Sequence, residues 1–302
     1  MSKYQRGVVI LITALIVIFG FSLIPWRSMG QEQKPIRVIT SLNFYGEVAK
    51  DVAGRYGQVD SLINSASVDP HDYQPGTKQA QKMEQANVVI QNGLGYDHWL
   101  TELANSTSDH RYITIDVGRQ VAGKHAGDNE HVWYAPSTMG RLATRLANKY
   151  GQLDPTHRGY YRQRARNYRI SLRSLNHEIA VVKKQVGPNK DVAVSEPVFD
   201  YALHALGYHV IDPHFEKAIE DGNDPSPQDI KDLQQAIIKH HIAFFVENKQ
   251  TNDKVISNLV RLARQHHVPV LQVTESKPTG LTYQEWMLKQ YRQLAKIQRK
   301  EE

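Results

Sequence analysis

The sequence predicts an α/β fold of two lobes, each a parallel sheet flanked by helices. Short apolar runs alternate with helix-compatible segments along most of the chain, which is the pattern of strands joined by crossover helices. This alternation occurs twice, on either side of a long charged stretch, and 302 residues with 40% hydrophobic content suit about two domains. We therefore expect an N-terminal lobe over residues 34–153, a linker helix over residues 154–187 and a C-terminal lobe over residues 188–302.

In the N-terminal lobe, each predicted strand is a short apolar run that ends at polar or turn-forming residues. The predicted strands are residues 36–40, 59–63, 87–91 and 112–116. The predicted helices are residues 45–53, 77–86 and 136–150, with Thr77 as the N-cap of the second and Pro136 at the first position of the third.

The linker prediction rests on residues 154–185, which contain neither Gly nor Pro after Gly159. Their length exceeds that of an ordinary globular helix. One long helix joining the lobes and two shorter helices with a bend both fit this pattern.

The C-terminal lobe repeats the alternation of strands and helices. Its predicted strands are residues 191–195, 209–211, 242–246 and 268–273. Its predicted helices are residues 197–206, stopped by Gly207, residues 226–240, opened by a capping box from Ser226 to Asp229, and residues 253–266 and 282–299.

The N-terminus predicts export. Residues 8–26 form an apolar run preceded by Lys3 and Arg6, so residues 1–30 are either a signal peptide, cleaved before Gln31, or an N-terminal membrane anchor. The chain has no cysteine, so it forms no disulfide and carries no lipid-modified cysteine. We expect an extracytoplasmic, cell-surface protein. This segment either is cleaved or attaches the protein to the membrane.

The charge balance is moderately basic, with a formal charge of +6 and a pI of about 9.2, and part of the excess lies at the two ends of the chain. This pattern favours proximity to an anionic membrane or cell surface. The sequence contains no nucleic-acid-binding module and no basic-aromatic patch, so nucleic acid is not an expected partner.

Four residues in loops after predicted strands, or just before a predicted helix, are candidate metal ligands. His71 lies in the Pro-flanked loop of residues 69–75, and His131 lies in residues 129–133. Glu196 follows the strand of residues 191–195, and Glu275 follows the last strand. Ligands of open α/β sheets bind beyond the carboxyl ends of strands, so the four side chains can meet in the cleft between the lobes.

Each candidate also has an ordinary structural interpretation. His71 can be a turn residue, His131 a half-buried packing residue, Glu196 a partner of a helix dipole, and Glu275 a loop acid. Only their joint placement favours a metal site. His125, in a short Gly-flanked loop, is a further candidate for metal delivery.

Two imidazoles and two carboxylates form a nitrogen and oxygen shell of charge −2, which neutralises a divalent cation without thiolates. Imidazole suits Zn²⁺, and the added carboxylate oxygens shift the preference toward Mn²⁺. A metal-binding receptor needs a closed coordination shell around the metal. A zinc hydrolase instead needs an open coordination position and a free acid or base beside it. The sequence contains no His-Glu-x-x-His helix, nucleophile elbow or phosphate loop.

From residue 34 onward, the chain resembles the metal-binding receptors of bacterial ABC importers for zinc and manganese. The Asp-Pro-His-x-Tyr-x-Pro and Asn-x-His-Val/Ile-Trp motifs of that family match residues 69–75 and 129–133, and residues 224–227 resemble its Glu-Pro-Ser-Pro helix opening. The resemblance implies two lobes joined by one long helix, a metal between them, an ABC permease as partner and no enzyme activity. We expect a monomer.

The resemblance also implies that His71, His131, Glu196 and Glu275 bind the metal. Glu at the third position and the short loop of residues 121–130 are more typical of manganese receptors than of zinc receptors. Glu275 stands where the family has Asp, within residues 274–276. An extracytoplasmic zinc metalloenzyme and a metal-binding surface adhesin are the alternative functions.

Overall fold

The computed structural model describes residues 34–68, 70–71, 73–107 and 111–299. The predicted signal peptide or anchor and two acids of the first motif, Asp69 and Asp72, lie outside the described residues. Within the described ranges, no helix is both long enough and apolar enough to cross a membrane.

The first sheet has four parallel strands in the order β2-β1-β3-β4. All but one residue of β1 are buried, as expected for a strand covered on both faces. The strands are β1 (Ile36–Leu42), β2 (Gly57–Ile63), β3 (Val88–Gln91) and β4 (Ile113–Asp116). The connecting helices are α1 (Asn43–Ala53), α2 (Thr77–Met83) and α3 (His98–Asn105).

Three helices follow this sheet: α4 (Thr138–Leu153), α5 (Arg158–Ser171) and α6 (Arg173–Lys184). The predicted linker is present as α5 and α6, which are separated by Leu172 alone. The backbone hydrogen bonds continue across this residue, because Leu172 N donates to Tyr168 O and Asn176 N donates to Leu172 O.

The second sheet repeats the topology of the first, with parallel strands in the order β6-β5-β7-β8. The strands are β5 (Asp191–Val194), β6 (His209–Val210), β7 (Phe245–Asn248) and β8 (Val270–Val273). The helices are α7 (Asp200–Leu206), α8 (Pro213–Glu220), α9 (Pro227–Ile238), α10 (Lys254–Gln265) and α11 (Tyr283–Gln298). In both sheets the strand order reverses beside the first strand, which places a ligand crevice at the carboxyl ends of β1 and β3 and of β5 and β7.

An aromatic cluster joins the two sheets into one hydrophobic core. Phe44 on α1 lies 5.1 Å from Trp133 and 5.7 Å from Trp286 on α11, between ring centroids. Tyr134 lies 5.1 Å from Phe199. All five side chains are fully buried within one core cluster. Separating the lobes would expose these rings to water, so the cluster holds the lobes together.

Most of the predicted elements are confirmed, with small shifts at their ends. Gly207 ends α7 at φ +100°, and the Ser226 side chain caps α9 by accepting from the Asp229 amide at 3.1 Å. The prediction for Thr77 was wrong, because the cap residue is Gly76, whose amide donates to the side chain of Gln79.

One further helix start was wrong, because the helix expected from Pro136 begins at Thr138. Two helices were not predicted, α3 and α8.

Candidate metal centre

Three loops and the end of helix α8 place His71, His131, Glu220 and Glu275 at the mouth of the cleft. Trp99 on α3 donates from Nε1 to the Pro70 carbonyl at 2.8 Å, which holds the loop of His71. Asn92, just after β3, donates to the Glu130 carbonyl at 2.9 Å and so fixes the loop that carries His131. The C-terminal half contributes Glu220, at the end of α8, and Glu275, just after β8.

His131 is the most constrained member of this group. Its ring is fully buried, and its Nδ1 lies 2.9 Å from Asn129 Oδ1. The Asn129 amide nitrogen donates to the Pro197 carbonyl, so Oδ1 is an acceptor and Nδ1 of His131 carries the proton. Burial lowers the pKa of His131 to about 3, with the nearby His71 contributing. His131 is therefore a neutral imidazole whose Nε2 offers a lone pair, the state that binds a metal.

The Nε2 atom of His131 is buried and has no hydrogen-bond partner. It lies 3.7 Å from Oε1 of Glu220 and 4.0 Å from Oε1 of Glu275. A buried polar atom without a partner costs free energy, unless a ligand supplies the missing interaction. A cation between these three side chains would supply it.

His71 approaches the same point from the other side. Its Nε2 lies 3.4 Å from Oε1 of Glu130 and 4.0 Å from Oε1 of Glu220. His71, Glu130 and Glu220 each offer one ligand atom, and these atoms all lie within 4.8 Å of one another. The His71 side chain is 38% exposed, so the centre opens to solvent on this side.

Glu220 lies among the other carboxylates of the centre and is protonated at neutral pH in the metal-free protein. Burial, followed by the carboxylates of Glu275, Glu130 and Glu196, raises the pKa of Glu220 to about 10. Its Oε1 is buried without a hydrogen-bond partner. Burial also raises the pKa of Glu130. Charging Glu220 beside the other carboxylates is unfavourable because of mutual repulsion, and a divalent cation would relieve this repulsion.

Glu275 and Glu196 are held by hydrogen bonds from neighbouring side chains. The buried Tyr96 hydroxyl donates to Oε1 of Glu275 at 2.5 Å. Glu196 accepts from Asn248 at Oε2 and from the Thr251 hydroxyl at Oε1, each at 2.5 Å. Glu196 lines a cavity of about 510 Å³ with His71, Glu220 and Glu275, so three of the four predicted ligands border the same space as Glu220.

The structure thus brings His71, His131 and Glu275 together and adds Glu130 and Glu220, which the sequence analysis missed. Glu130 directly precedes His131 in the motif of residues 129–133, so its proximity to the metal centre could have been foreseen. Glu220 lies at the end of α8, a helix absent from the prediction, although Asp212-Pro213 is a helix-start signal. His125 lies apart from the centre, 89% exposed and 3.8 Å from Asp128.

Comparison with protein families identifies the chain. The model described as zinc-uptake complex component A, periplasmic (ZnuA), matches residues 38–297. The chain belongs to this family. ZnuA-family proteins are extracytoplasmic metal-binding, substrate-binding proteins of ABC importers and are not enzymes, which excludes the hydrolase alternative.

This ZnuA-family chain has relatives named for metal transport. FimA of Streptococcus parasanguinis, a metal ABC transporter substrate-binding lipoprotein, is 24% identical over 263 residues, 82% of each chain. PsaA of Streptococcus pneumoniae, a manganese ABC transporter substrate-binding lipoprotein, is 24% identical over 258 residues, 78% of this chain and 81% of PsaA. Unlike a lipoprotein, this ZnuA-family chain contains no cysteine.

The fold of the ZnuA-family chain also matches a solved structure. The substrate-binding protein FpvC of Pseudomonas aeruginosa, in complex with Ni²⁺, superimposes with a TM-score of 0.74 at 20% identity. The match covers 88% of this chain and 98% of FpvC, and it shows that the two-lobed fold is shared.

Proposed function

We propose that the chain captures one Mn²⁺ or Zn²⁺ ion as cargo between its lobes and hands it to an ABC-type permease. The observation that carries this proposal is the neutral, buried His131, whose unpartnered Nε2 faces Glu220 and Glu275. The zinc-uptake family and the manganese relative PsaA support these two metals.

The separations within the centre suit a cation. A metal bound at about 2.0–2.2 Å by four tetrahedral ligands keeps their donor atoms about 3.3–3.6 Å apart. The Nε2 to Oε1 separations of His71 from Glu220, of His131 from Glu220 and of His131 from Glu275 are 3.7–4.0 Å. A movement of a few tenths of an ångström toward a bound ion would close them.

We propose His71, His131, Glu196 and Glu275 as metal ligands, with Glu220 as a fifth. The resemblance in sequence supports Glu196, and the distances support Glu220. The hydrogen bonds from Asn248 and Thr251 orient the Glu196 carboxylate. Glu130 lies beside Glu220 and His71 and would stabilise the bound cation at longer range.

This donor set favours manganese. Two nitrogens with three or more carboxylate oxygens suit Mn²⁺ better than a site richer in histidine. Zn²⁺ remains the stronger intrinsic binder at almost any such site, so we expect both ions to bind and metal availability to decide the cargo.

We propose that residues 8–26 keep the receptor at the membrane surface. The apolar run follows two basic residues, and no cysteine is available for a lipid anchor. An attached receptor would stay within reach of the permease.

A competitive titration tests the proposed cargo. Residues 34–302, which form one compact unit, would be stripped of metal and titrated with Mn²⁺ and Zn²⁺ against a chelator of known affinity. We expect one ion per chain for either metal, and no binding of Mg²⁺ or Ca²⁺ at the same concentration, since these ions avoid imidazole. Failure of both transition metals to bind stoichiometrically would contradict the proposal.

A further inference from the structure

A strongly basic surface lies apart from the metal centre. Residues 131–177 contain nine arginines and lysines but only one acid, Asp154. The segment therefore carries a formal charge of +8, more than the +6 of the whole chain, so the rest of the chain is slightly acidic. The segment covers α4, α5 and the start of α6. Such a charge asymmetry creates a local positive field that attracts anions.

The fold gathers this charge into one groove. Arg141 and Arg145 lie one turn apart on α4, and Arg166, Arg169 and Arg173 recur on one side of α5 and α6. All five line a cavity of about 940 Å³, the arginine groove, whose lining contains no Asp or Glu. None of its lining residues borders the cavity at the metal centre.

Among the described residues, none of these arginines forms an ion pair with a carboxylate. Arg141 donates to the Val121 carbonyl at 3.2 Å, and Arg145 donates to the side-chain oxygen of Gln120 at 2.6 Å. Nε of Arg145 is buried without a hydrogen-bond partner. By contrast, Arg164, also on α5 but outside the groove, lies 3.8 Å from Asp51. The groove therefore concentrates cationic groups that the described residues do not neutralise.

The groove also has an apolar component. Ile170, between Arg169 and the start of α6, is 46% exposed and lines the cavity. Guanidinium groups bind phosphate oxygens through paired N–H donors. Arginines beside an exposed aliphatic side chain match the chemistry of a membrane interface, where phosphate headgroups meet acyl chains.

We propose that the arginine groove docks the receptor onto the headgroups of anionic phospholipids. Phosphates enter the groove and contact the five arginines, while Ile170 reaches the acyl boundary. The chain acts outside the cytoplasm with a membrane permease, so such docking would keep the receptor on the surface where cargo is transferred. This inference does not depend on which metal is bound or on which residues bind it.

Vesicle flotation tests the proposal, with residues 34–302 used so that the apolar run cannot insert. We expect the protein to partition into vesicles of phosphatidylglycerol mixed with phosphatidylcholine and not into vesicles of phosphatidylcholine alone. Added salt should weaken the partition. The groove variant Arg166→Gln, Arg169→Gln, Arg173→Gln should partition on the order of 100-fold less. The control variant Lys289→Gln, Arg292→Gln, Lys296→Gln removes three exposed charges with the same spacing from α11 and should lose about twofold or less.

Three results would overturn the proposal. The first is that the unchanged protein does not bind anionic vesicles. The second is an equal loss in the groove variant and in the control variant, which would make net charge the cause. The third is groove-dependent binding of soluble polyphosphate without binding of vesicles, which would make the ligand a soluble polyanion.

The Ile170→Ser variant separates the apolar contact from the charge. It keeps all five arginines and should weaken partition into anionic vesicles several-fold. Unchanged metal stoichiometry and an unchanged melting temperature would show that each variant is folded, because the substituted side chains are exposed.

Discussion

Replacing Glu220 by Gln should strengthen the metal-free fold and weaken metal binding. Glutamine has nearly the same shape as protonated glutamic acid but has no charge to bury. The side chain of Glu220 is 12% exposed, and burial is the first cause of its raised pKa of about 10. The substitution therefore removes the cost of holding a proton on a buried carboxyl at neutral pH and, with it, a proposed metal ligand.

The size of the stability change follows from the pKa shift. Below pH 4.5 both the folded and the unfolded states hold the proton, so Glu220 has no pH-dependent effect. Between pH 4.5 and about 10 only the folded state holds it, and stability falls by up to about 1.4 kcal/mol per pH unit. At pH 7 the accumulated penalty is about 3 kcal/mol, which Gln removes. We expect the melting temperature of the metal-free variant to rise by about 4–8 °C at pH 7 and by little at pH 4.5.

Metal binding should change in the opposite direction. Loss of a hydrogen-bond partner of a metal ligand costs 10–100-fold in affinity, so loss of a carboxylate in contact should cost about 100-fold or more. The assays are thermal unfolding with and without metal, and competitive titration against a chelator.

Glu102→Gln, at an exposed position on α3, is the matched control and should change neither quantity. The reasoning about Glu220 is refuted if Glu220→Gln leaves both the melting temperature and the affinity unchanged.

Other changes probe the remaining ligands and their protons. Glu196→His should raise the ratio of Zn²⁺ to Mn²⁺ affinity in competitive titration, because imidazole favours zinc, and an unchanged ratio would argue against Glu196 as a ligand. Tyr96→Phe removes the hydrogen bond to Glu275 and should weaken metal binding about 10–100-fold, whereas unchanged affinity would make that bond irrelevant to the metal. At pH 7, calorimetry in buffers of different ionisation enthalpy should show about one proton released per metal bound, since Glu220 holds a proton in the free protein, and no release would contradict its raised pKa.

The sequence was sufficient to predict the two-lobed fold, because the alternation of strands and helices is a local pattern. The sequence also identified His71, His131 and Glu275 as candidate ligands, because each lies in a loop after a predicted strand or within a motif. Glu220 was missed because its helix was not predicted, and nothing near it in sequence marks it as part of the centre.

Other features depend on contacts between distant residues. Glu196 accepts hydrogen bonds from Asn248 and Thr251, more than fifty residues later in the chain, so their effect on this carboxylate could not be foreseen. The charge of residues 131–177 is readable from sequence, but its convergence on one groove required the packing of α4 against α5.

The central claim is that the imidazoles between the lobes hold the metal, and metal content per chain tests it most directly. His71→Ala would be compared with the unchanged protein and with His98→Ala, which removes an exposed histidine from a cavity that His71 also borders. We predict one Mn²⁺ or Zn²⁺ per chain in the unchanged protein and in His98→Ala, and none retained at micromolar metal in His71→Ala. Full occupancy in His71→Ala would contradict the account.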